Sequence, residues 1–182
     1  PTRSTGFFNH NALYEVNLPQ AGRVEVLKGP ATALYGSDAI GGVIDVETRA
    51  PSLDPSAMAY AEGGYNGWSR LLLSGSGTLG DDGIRADLNL TRTDGWRDGT
   101  GYDRQSATVR WDRQLAGGGR LKTVATATRV AQETAGSSAL LRDDYFGDRT
   151  LNYTPISKRD VRAARLSTAL DLPLGETRIS LT

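Results

Sequence analysis

The strongest constraint in this sequence is a period-two alternation of polar and apolar side chains. Across residues 84–91 every even-numbered side chain is apolar and every odd-numbered side chain is polar or charged. Alternation of this kind predicts a β-strand with one polar and one apolar face. Residues 106–112 follow the same pattern, and residues 165–172 follow it with Ala169 on the polar side and Thr168 on the apolar side. The sequence therefore predicts a mainly β fold with antiparallel strands.

The composition excludes several classes of protein. The 182 residues contain no cysteine and one histidine, which excludes a disulfide scaffold, thiolate metal sites and thiol catalysis. The 21 basic and 21 acidic side chains are interleaved, so no basic face is predicted and nucleic acid is not an expected partner. No apolar run approaches the ~18–20 residues of a membrane helix. A helical membrane protein is excluded, whereas a membrane barrel is not.

The connections between strands differ in length. Weaker alternation at residues 57–65, 69–79, 121–130 and 177–181 brings the expected total to seven strands after the proline-bounded segment 51–55. In a meander of seven strands, the tight Asn66-Gly67 turn and the long connections 94–101 and 131–158 share one end. Three glycine-containing turns share the other end, at residues 80–83, 116–119 and 173–176. Short turns at one end and long loops at the other are typical of outer-membrane barrels.

Alternation alone leaves a soluble barrel or sandwich and a membrane barrel both open. A soluble fold turns its apolar face inward, whereas a membrane barrel turns it toward lipid and encloses the polar face. The discriminating observation is whether the side chains of Ile84, Leu88, Leu90, Val109 and Trp111 point outward or line a closed interior.

The segment before the prolines has a different organisation. Val24–Leu27 predicts a short strand, Gly29-Pro30 ends it, and residues 31–35 predict a short helix closed by Gly36. After Gly41-Gly42, the β-branched residues 43–48 predict a second strand. The predicted unit is strand, short helix, strand.

Residues 23–49, RVEVLKGPATALYGSDAIGGVIDVETR, resemble the closing half of the plug domain of TonB-dependent outer-membrane receptors. The resemblance implies a fragment of a plugged, 22-stranded antiparallel membrane β-barrel with about seven strands present, preceded by a small α/β plug piece. It implies three regions: residues 1–50 as the C-terminal part of the plug, 51–55 as a linker, and 56–182 as the N-terminal barrel strands. Because the sequence starts at Pro1 and stops within an alternating segment, we expect a piece of a longer chain.

The resemblance assigns roles to the plug residues. The family usually has Arg where this chain has Lys28, and often Asn where it has Asp45. A lysine lacks the bidentate fork of an arginine, so Lys28 would anchor the plug through a point contact. The alternative for Glu25, Lys28 and Arg49 is a solvated strand rim. The residues expected to form the motif and contact the barrel are Arg23, Glu25, Lys28, Gly29, Pro30, Tyr35, Gly36, Gly41 and Gly42.

Two groups of residues are predicted to bind a ligand. Phe7, Phe8, Asn9, His10 and Asn11 combine rings with hydrogen-bonding groups, and the resemblance places this loop at a plug apex that faces the external ligand. The alternative is that the two rings pack under the barrel wall. Tyr145, Phe146 and Tyr153 in the longest loop are secondary candidates, which could instead only order that loop.

The resemblance implies energy-dependent uptake of a scarce ligand, foremost a ferric siderophore. It implies TonB as a partner, through an N-terminal segment outside this sequence, and outer-membrane lipid around the barrel. Cobalamin, another metal complex and a carbohydrate remain alternative ligands, and a passive channel, an adhesin barrel or a soluble β-rich binding domain remain alternative classes. No catalytic residue, cofactor or bound metal is predicted, since no nucleophile elbow is present and the acidic pairs 81–82 and 143–144 indicate hydrated turns.

Overall fold

The structure is a computed structural model that describes residues 18–30, 35, 39, 41–133, 139–175 and 177–181. The chain divides into two compact units, residues 1–50 and residues 51–182, and each is described by itself. Among the described residues no helix is both long enough and apolar enough to cross a membrane.

The first unit contains an antiparallel pair of strands. A short 3-10 turn, Leu18–Gln20, leads into β1, Ala21–Lys28, which pairs with β2, Gly42–Thr48. Val24 lies opposite Val46 and Val26 opposite Ile44, so β-branched side chains match across one face of the pair. Both predicted strands are confirmed. The predicted helix at residues 31–35, with Gly36, lies outside the described residues except for Tyr35.

Gly42 is required at the start of β2 because the two backbones approach closely there. A Cβ atom at this position would lie 2.6 Å from the carbonyl oxygen of Leu27. Gly29 closes the same end of the pair by donating its N–H to the carbonyl of Gly41, at 3.2 Å. The glycines of the motif therefore fix the point where the two strands separate.

The second unit is a seven-stranded antiparallel meander in which every strand pairs with its neighbours in the sequence. Its first and last strands are sheet edges within the part of the chain that the structure describes, so the sheet is not closed. The predicted number of seven strands is confirmed. The strands are β3 Ser56–Gly63, β4 Ser69–Leu79, β5 Asp82–Thr93, β6 Tyr102–Gln114, β7 Arg120–Glu133, β8 Lys158–Leu174 and β9 Thr177–Leu181.

The turns explain the register of the sheet. Asn66 and Gly67 both have positive φ, 56° and 63°, which gives the strand-compatible twist of a type I′ hairpin turn. The tight connections β4–β5, β6–β7 and β8–β9 lie at the opposite end, as the sequence predicts. The long connection before β8 contains a helix that the sequence did not predict, α1, Arg142–Gly147.

Asp143 and Asp144 occupy the first turn of α1, so the prediction of a hydrated turn at this pair is wrong. Two carboxylates in a first turn are favourable because they lie next to the partial positive charge of the helix N-terminus. The described residues contain no group of three or more acidic or histidine side chains placed to hold a metal ion.

The sheet of the second unit buries its polar face and exposes its apolar face. Ile84 is 54% exposed, Val109 46% and Leu90 37%, while Leu88 and Trp111 are half-buried. Of the described apolar residues, only Ala39, Leu72 and Val130 are buried. This arrangement is the inverse of a soluble sandwich and the one expected of a membrane barrel wall. The buried polar residues of the sheet are Arg85, Asp87, Asn89, Thr91, Arg104, Ser106, Thr108, Arg110 and Thr128.

Candidate ligand-binding site

Three connections meet at the long-loop end of the sheet and are tied to one another. The N–H of Asp94 donates to the carbonyl of Asn66 at 2.8 Å, which joins the first and second connections. Arg97 Nη2 donates to the carbonyl of Leu151 at 2.6 Å, and Asn152 Nδ2 donates to the carbonyl of Asp98 at 2.8 Å. These bonds join the second connection to the third, so the loop end is an ordered surface.

A pocket of about 670 Å³ opens between these connections, within the ~300–1,000 Å³ typical of ligand sites. Four of its lining side chains are aromatic, namely Tyr65, Trp68, Trp96 and Tyr102. Their rings offer stacking surface to a ligand that carries planar groups. The other lining residues are Gly64, Asn66, Thr93, Gly95, Arg97, Thr100, Gln132 and Glu133.

The polar groups around the pocket include an unsatisfied acceptor. Gln132 Oε1 is buried with no hydrogen-bond partner among the described residues. A buried acceptor without a partner costs ~1–3 kcal/mol, so an N–H or O–H group of a bound ligand would be stabilised there. Two guanidinium groups lie over the indole rings, Arg70 5.2 Å from the centroid of Trp68 and Arg97 5.5 Å from that of Trp96. The pocket therefore suits a ligand with planar rings and hydrogen-bond donors.

The predicted loop aromatics lie outside this pocket. The rings of Tyr145 and Phe146 pack edge to face, with centroids 5.4 Å apart. The guanidinium of Arg149 lies over Tyr145 and that of Arg142 over Phe146. Tyr153 donates its O–H to Asp144 and accepts the N–H of Leu141 at 3.1 Å. These contacts order the long loop around α1, and a role of these rings in binding stays a prediction.

Hydrogen bonds shift the pKa values of two groups in the long loop. Donation from the hydroxyl and the N–H of Thr150 lowers the pKa of Asp148 below its usual value. The hydrogen bond from Tyr153 to the Asp144 carboxylate raises the pKa of Tyr153 above its usual value of 10.0. The bonds to Asp148 stabilise its charged carboxylate, and the bond from Tyr153 stabilises its neutral phenol.

The Tyr153–Asp144 bond should make the order of this loop depend on alkaline pH. Because the folded pKa is raised, the stabilisation is present below the unfolded value of ~10 and is lost as the pH rises through the folded value. We expect the difference between the tyrosinate absorbance titrations of the parent protein and of Tyr153→Phe to place the pKa of the Tyr153 phenol above ~10. Asp144→Asn should lower that titration toward ~10; an unchanged titration would contradict the assignment.

The polar face of the sheet carries two charged pairs of the same form. Arg85 donates to Asp87 through Nε and Nη2, both at 2.9 Å, and Arg110 donates to Asp112 through the same atoms at 2.8 and 2.7 Å. Arg85 and Arg110 lie directly opposite each other on β5 and β6. Ser74 bridges the first pair, since Arg85 Nη2 donates to Ser74 Oγ, which donates to Asp87 Oδ1, each at 2.6 Å. Each cation thus has its own carboxylate in a bidentate geometry.

The predicted plug residues that the structure describes lie on and between β1 and β2. Arg23 forms an ion pair with Glu25 on β1, and Glu25 lies opposite Asp45 of β2. Lys28 ends β1, followed by Gly29 and Pro30, while Tyr35 is half exposed. The structure brings these residues together in one strand pair. Gly36 and the predicted plug apex, Phe7, Phe8, Asn9, His10 and Asn11, lie outside the described residues.

The pocket residues were missed in the sequence analysis. Tyr65 and Trp68 flank the Asn66-Gly67 turn, and Trp96 and Tyr102 lie at the two sides of the second connection. The available signal was the placement of aromatic side chains at both ends of loops that share one end of a meander. That signal is weak, because aromatic residues are also common at strand ends for packing reasons.

Comparisons with known proteins point to one family. Residues 2–43 match the TonB-dependent Receptor Plug Domain family, and the exposed apolar face of the following sheet agrees with a barrel wall. These findings support a fragment of a TonB-dependent receptor. Receptors of this family are outer-membrane proteins of Gram-negative bacteria.

Two curated relatives are similar to part of this chain. It is 43% identical over 61 residues to a vitamin B12 transporter of Photobacterium profundum and 36% identical over 77 residues to one of Vibrio vulnificus. These matches cover 34% and 41% of the chain but 10% and 12% of the relatives. The chain therefore spans a small part of each curated relative.

The fold of the chain also matches a solved structure. The ferric-catecholate import receptor Fiu from E. coli K12, in its open form, aligns with a TM-score of 0.72 and 19% sequence identity. The alignment covers 86% of this chain and 27% of that receptor. At this identity the likeness supports the fold, a plug piece followed by barrel strands.

Proposed function

We propose that the protein takes up a large, scarce ligand across the outer membrane with energy delivered by TonB. The observation that carries the proposal is the inverted sheet, with charged pairs buried on one face and leucine, valine and alanine exposed on the other. Together with the plug match at residues 2–43, it supports a lumen closed by a plug. A filled lumen prevents leakage and has to be opened by work, which is the role we assign to TonB.

The two units have different proposed roles. Residues 1–50 form the C-terminal part of the plug, 51–55 the linker and 56–182 the first barrel strands. Charged residues of β1 and the motif glycines, from Arg23 to Gly42, contact the barrel wall, and Phe7–Asn11 form a plug apex that meets the ligand. TonB binds a segment that precedes this sequence.

The ligand we propose first is a ferric siderophore. The pocket supports a ligand with planar rings and hydrogen-bond donors, since it combines four aromatic side chains with the unsatisfied Gln132 Oε1. Cobalamin is the second candidate, favoured by the two vitamin B12 transporters among the relatives. Uptake of radiolabelled ferric catecholate and of radiolabelled cobalamin, in cells with and without the full-length gene, separates the two. Loss of neither uptake in the deletion strain would contradict both.

Removing an aromatic wall of the pocket should weaken ligand binding. We expect Trp96→Ala in the full-length receptor to raise the Kd of the transported ligand about thirtyfold, since buried aromatic anchors contribute ~2 kcal/mol or more. Ile156→Ala is the control, because Ile156 is an exposed apolar side chain of the same loop end that does not line the pocket. Titration calorimetry measures both. Equal effects of the two variants would contradict a role for this pocket.

A further inference from the structure

The apolar face of the sheet contains an open groove lined by alanines. Ala107, Ala127 and Ala164 lie side by side on β6, β7 and β8 as direct cross-strand partners. They line a groove of about 470 Å³. A second groove of about 630 Å³, between β3 and β6, shares Leu88 and Ala107 with the first. A continuous apolar channel therefore crosses the exposed face where side chains are shortest.

A row of hydrogen-bond donors borders the groove on the long-loop side. Gln105, Arg129 and Arg162 are direct cross-strand partners, two residues beyond the three alanines on the same strands. All three point to the exposed face, and the side chains of Arg129 and Arg162 are 51% and 73% exposed. The same sheet face thus places a polar row directly above an apolar groove.

The two arginines of this row lie directly opposite each other and share one carboxylate. Like charges directly opposite on neighbouring strands destabilise a sheet. One carboxylate serves both, since Asp160 Oδ2 lies 3.9 Å from Arg129 Nη2 and Asp160 Oδ1 lies 3.7 Å from Arg162 Nε. Both distances exceed hydrogen-bonding range. Asp103 lies on the same face, two residues from Gln105, but among the described carboxylates only Asp160 lies within 4.0 Å of either guanidinium, so guanidinium donors remain that an anion can engage.

The depth of the row agrees with the border of a membrane. On β8, Ala164 to Leu174 spans ten residue steps, or ~33 Å along the strand at ~3.3 Å per residue. With a tilt of ~40° this corresponds to the ~25 Å apolar band of membrane barrels. Arg162 is the next residue of this face beyond the band, where a charged head group meets acyl chains.

We propose that this face binds one phosphorylated lipid of the leaflet on the long-loop side. The phosphate lies between Arg129 and Arg162, Gln105 donates to it or to the adjoining polar head, and an acyl chain follows the alanine groove. Guanidinium pairs bind phosphate with a bidentate geometry that an ammonium group lacks, and basic sites beside an apolar surface are the usual means of recognising lipid head groups.

The test uses the full-length receptor in detergent micelles with lipid A as the probe and dephosphorylated lipid A as its reference. Native mass spectrometry gives the Kd of the first bound lipid. We expect Arg129→Gln/Arg162→Gln to raise the Kd for lipid A about tenfold or more, as loss of charge-assisted hydrogen bonds implies, with little change for the dephosphorylated probe. Ala127→Leu/Ala164→Leu fills the groove and should weaken both probes.

Arg92→Gln/Lys158→Gln is the matched control, since both cations lie on the same side of the sheet but pair with Asp94 and Glu133 away from the groove. An equal loss in this control would indicate diffuse attraction and overturn the site. An unchanged Kd for lipid A in Arg129→Gln/Arg162→Gln would also overturn the site. A change of oligomeric state in the alanine variants would overturn it too, because it would indicate that a second copy of the chain occupies the groove. A receptor whose import substrate differs from our proposal can still bind lipid here, so a failure of the transport assays leaves this test unaffected.

Discussion

Asp87→Leu is expected to destabilise the receptor by about 3–5 kcal/mol, because it leaves a buried guanidinium without its carboxylate. The side chains of Arg85 and Asp87 are 8% and 4% exposed, so water cannot replace the lost acceptor. Arg110 lies directly opposite Arg85 and adds a second cation at close range. Leucine has a similar size, so the effect reports the lost charge and hydrogen bonds rather than a cavity.

Two further variants test whether the loss comes from the unpaired buried charge. Arg85→Met/Asp87→Leu removes both charges and should be less destabilised than Asp87→Leu alone, since an apolar pair can replace a buried ion pair at small cost. Arg92→Ala breaks an exposed pair at the long-loop end of the same strand, whose side chains are 70% and 65% exposed, and should cost less than ~1 kcal/mol. Denaturant unfolding of the full-length receptor in micelles measures all three. If Asp87→Leu costs no more than Arg92→Ala, the polar face is hydrated and the buried-pair account is wrong.

The strands that the sequence predicts best are those that lie within the apolar band. In β5 the predicted segment 84–91 falls inside the observed Asp82–Thr93, because each residue there faces either lipid-like surroundings or a polar interior. β8 was predicted from residue 165, but it begins at Lys158. Residues 158–162 carry charges on both faces, so the period-two signal disappears where the strand leaves the band although its hydrogen bonds continue.

The loop structure could not be predicted because its contacts connect distant parts of the chain. Arg97 and Leu151 are 54 residues apart in sequence, and nothing in either segment indicates the other. Helix α1 has only six residues and no side-chain cap, so local propensity is too weak to specify it. Tyr153 holds the start of that helix by accepting the N–H of Leu141. The pocket is assembled by the same long-range bonds, which is why its aromatic residues were missed.

Alternation alone left open whether the apolar face of the sheet points inward or outward. In the structure this face is exposed. Thr123 lies on the exposed face of β7, opposite Trp111 and Thr168 and near the middle of the band from Ala164 to Leu174. Thr123→Arg should destabilise the full-length receptor in lipid vesicles by about 2–4 kcal/mol, because it places a cation near the midplane of the bilayer. On a water-exposed sheet the same change would be close to neutral.

Ala131→Arg provides the matched control for this prediction. Ala131 lies on the same strand and the same face, eight residues toward the long loops, between Asp103 and Asp160 as cross-strand partners. A cation there lies beyond the apolar band and next to two carboxylates, so we expect a change within ~1 kcal/mol. Urea unfolding in vesicles compares the two variants. A larger loss of unfolding free energy in the midplane variant than in Ala131→Arg requires lipid around this face. Equal losses would mean that water surrounds the face along its whole length. An import function through a membrane barrel would then have no physical basis.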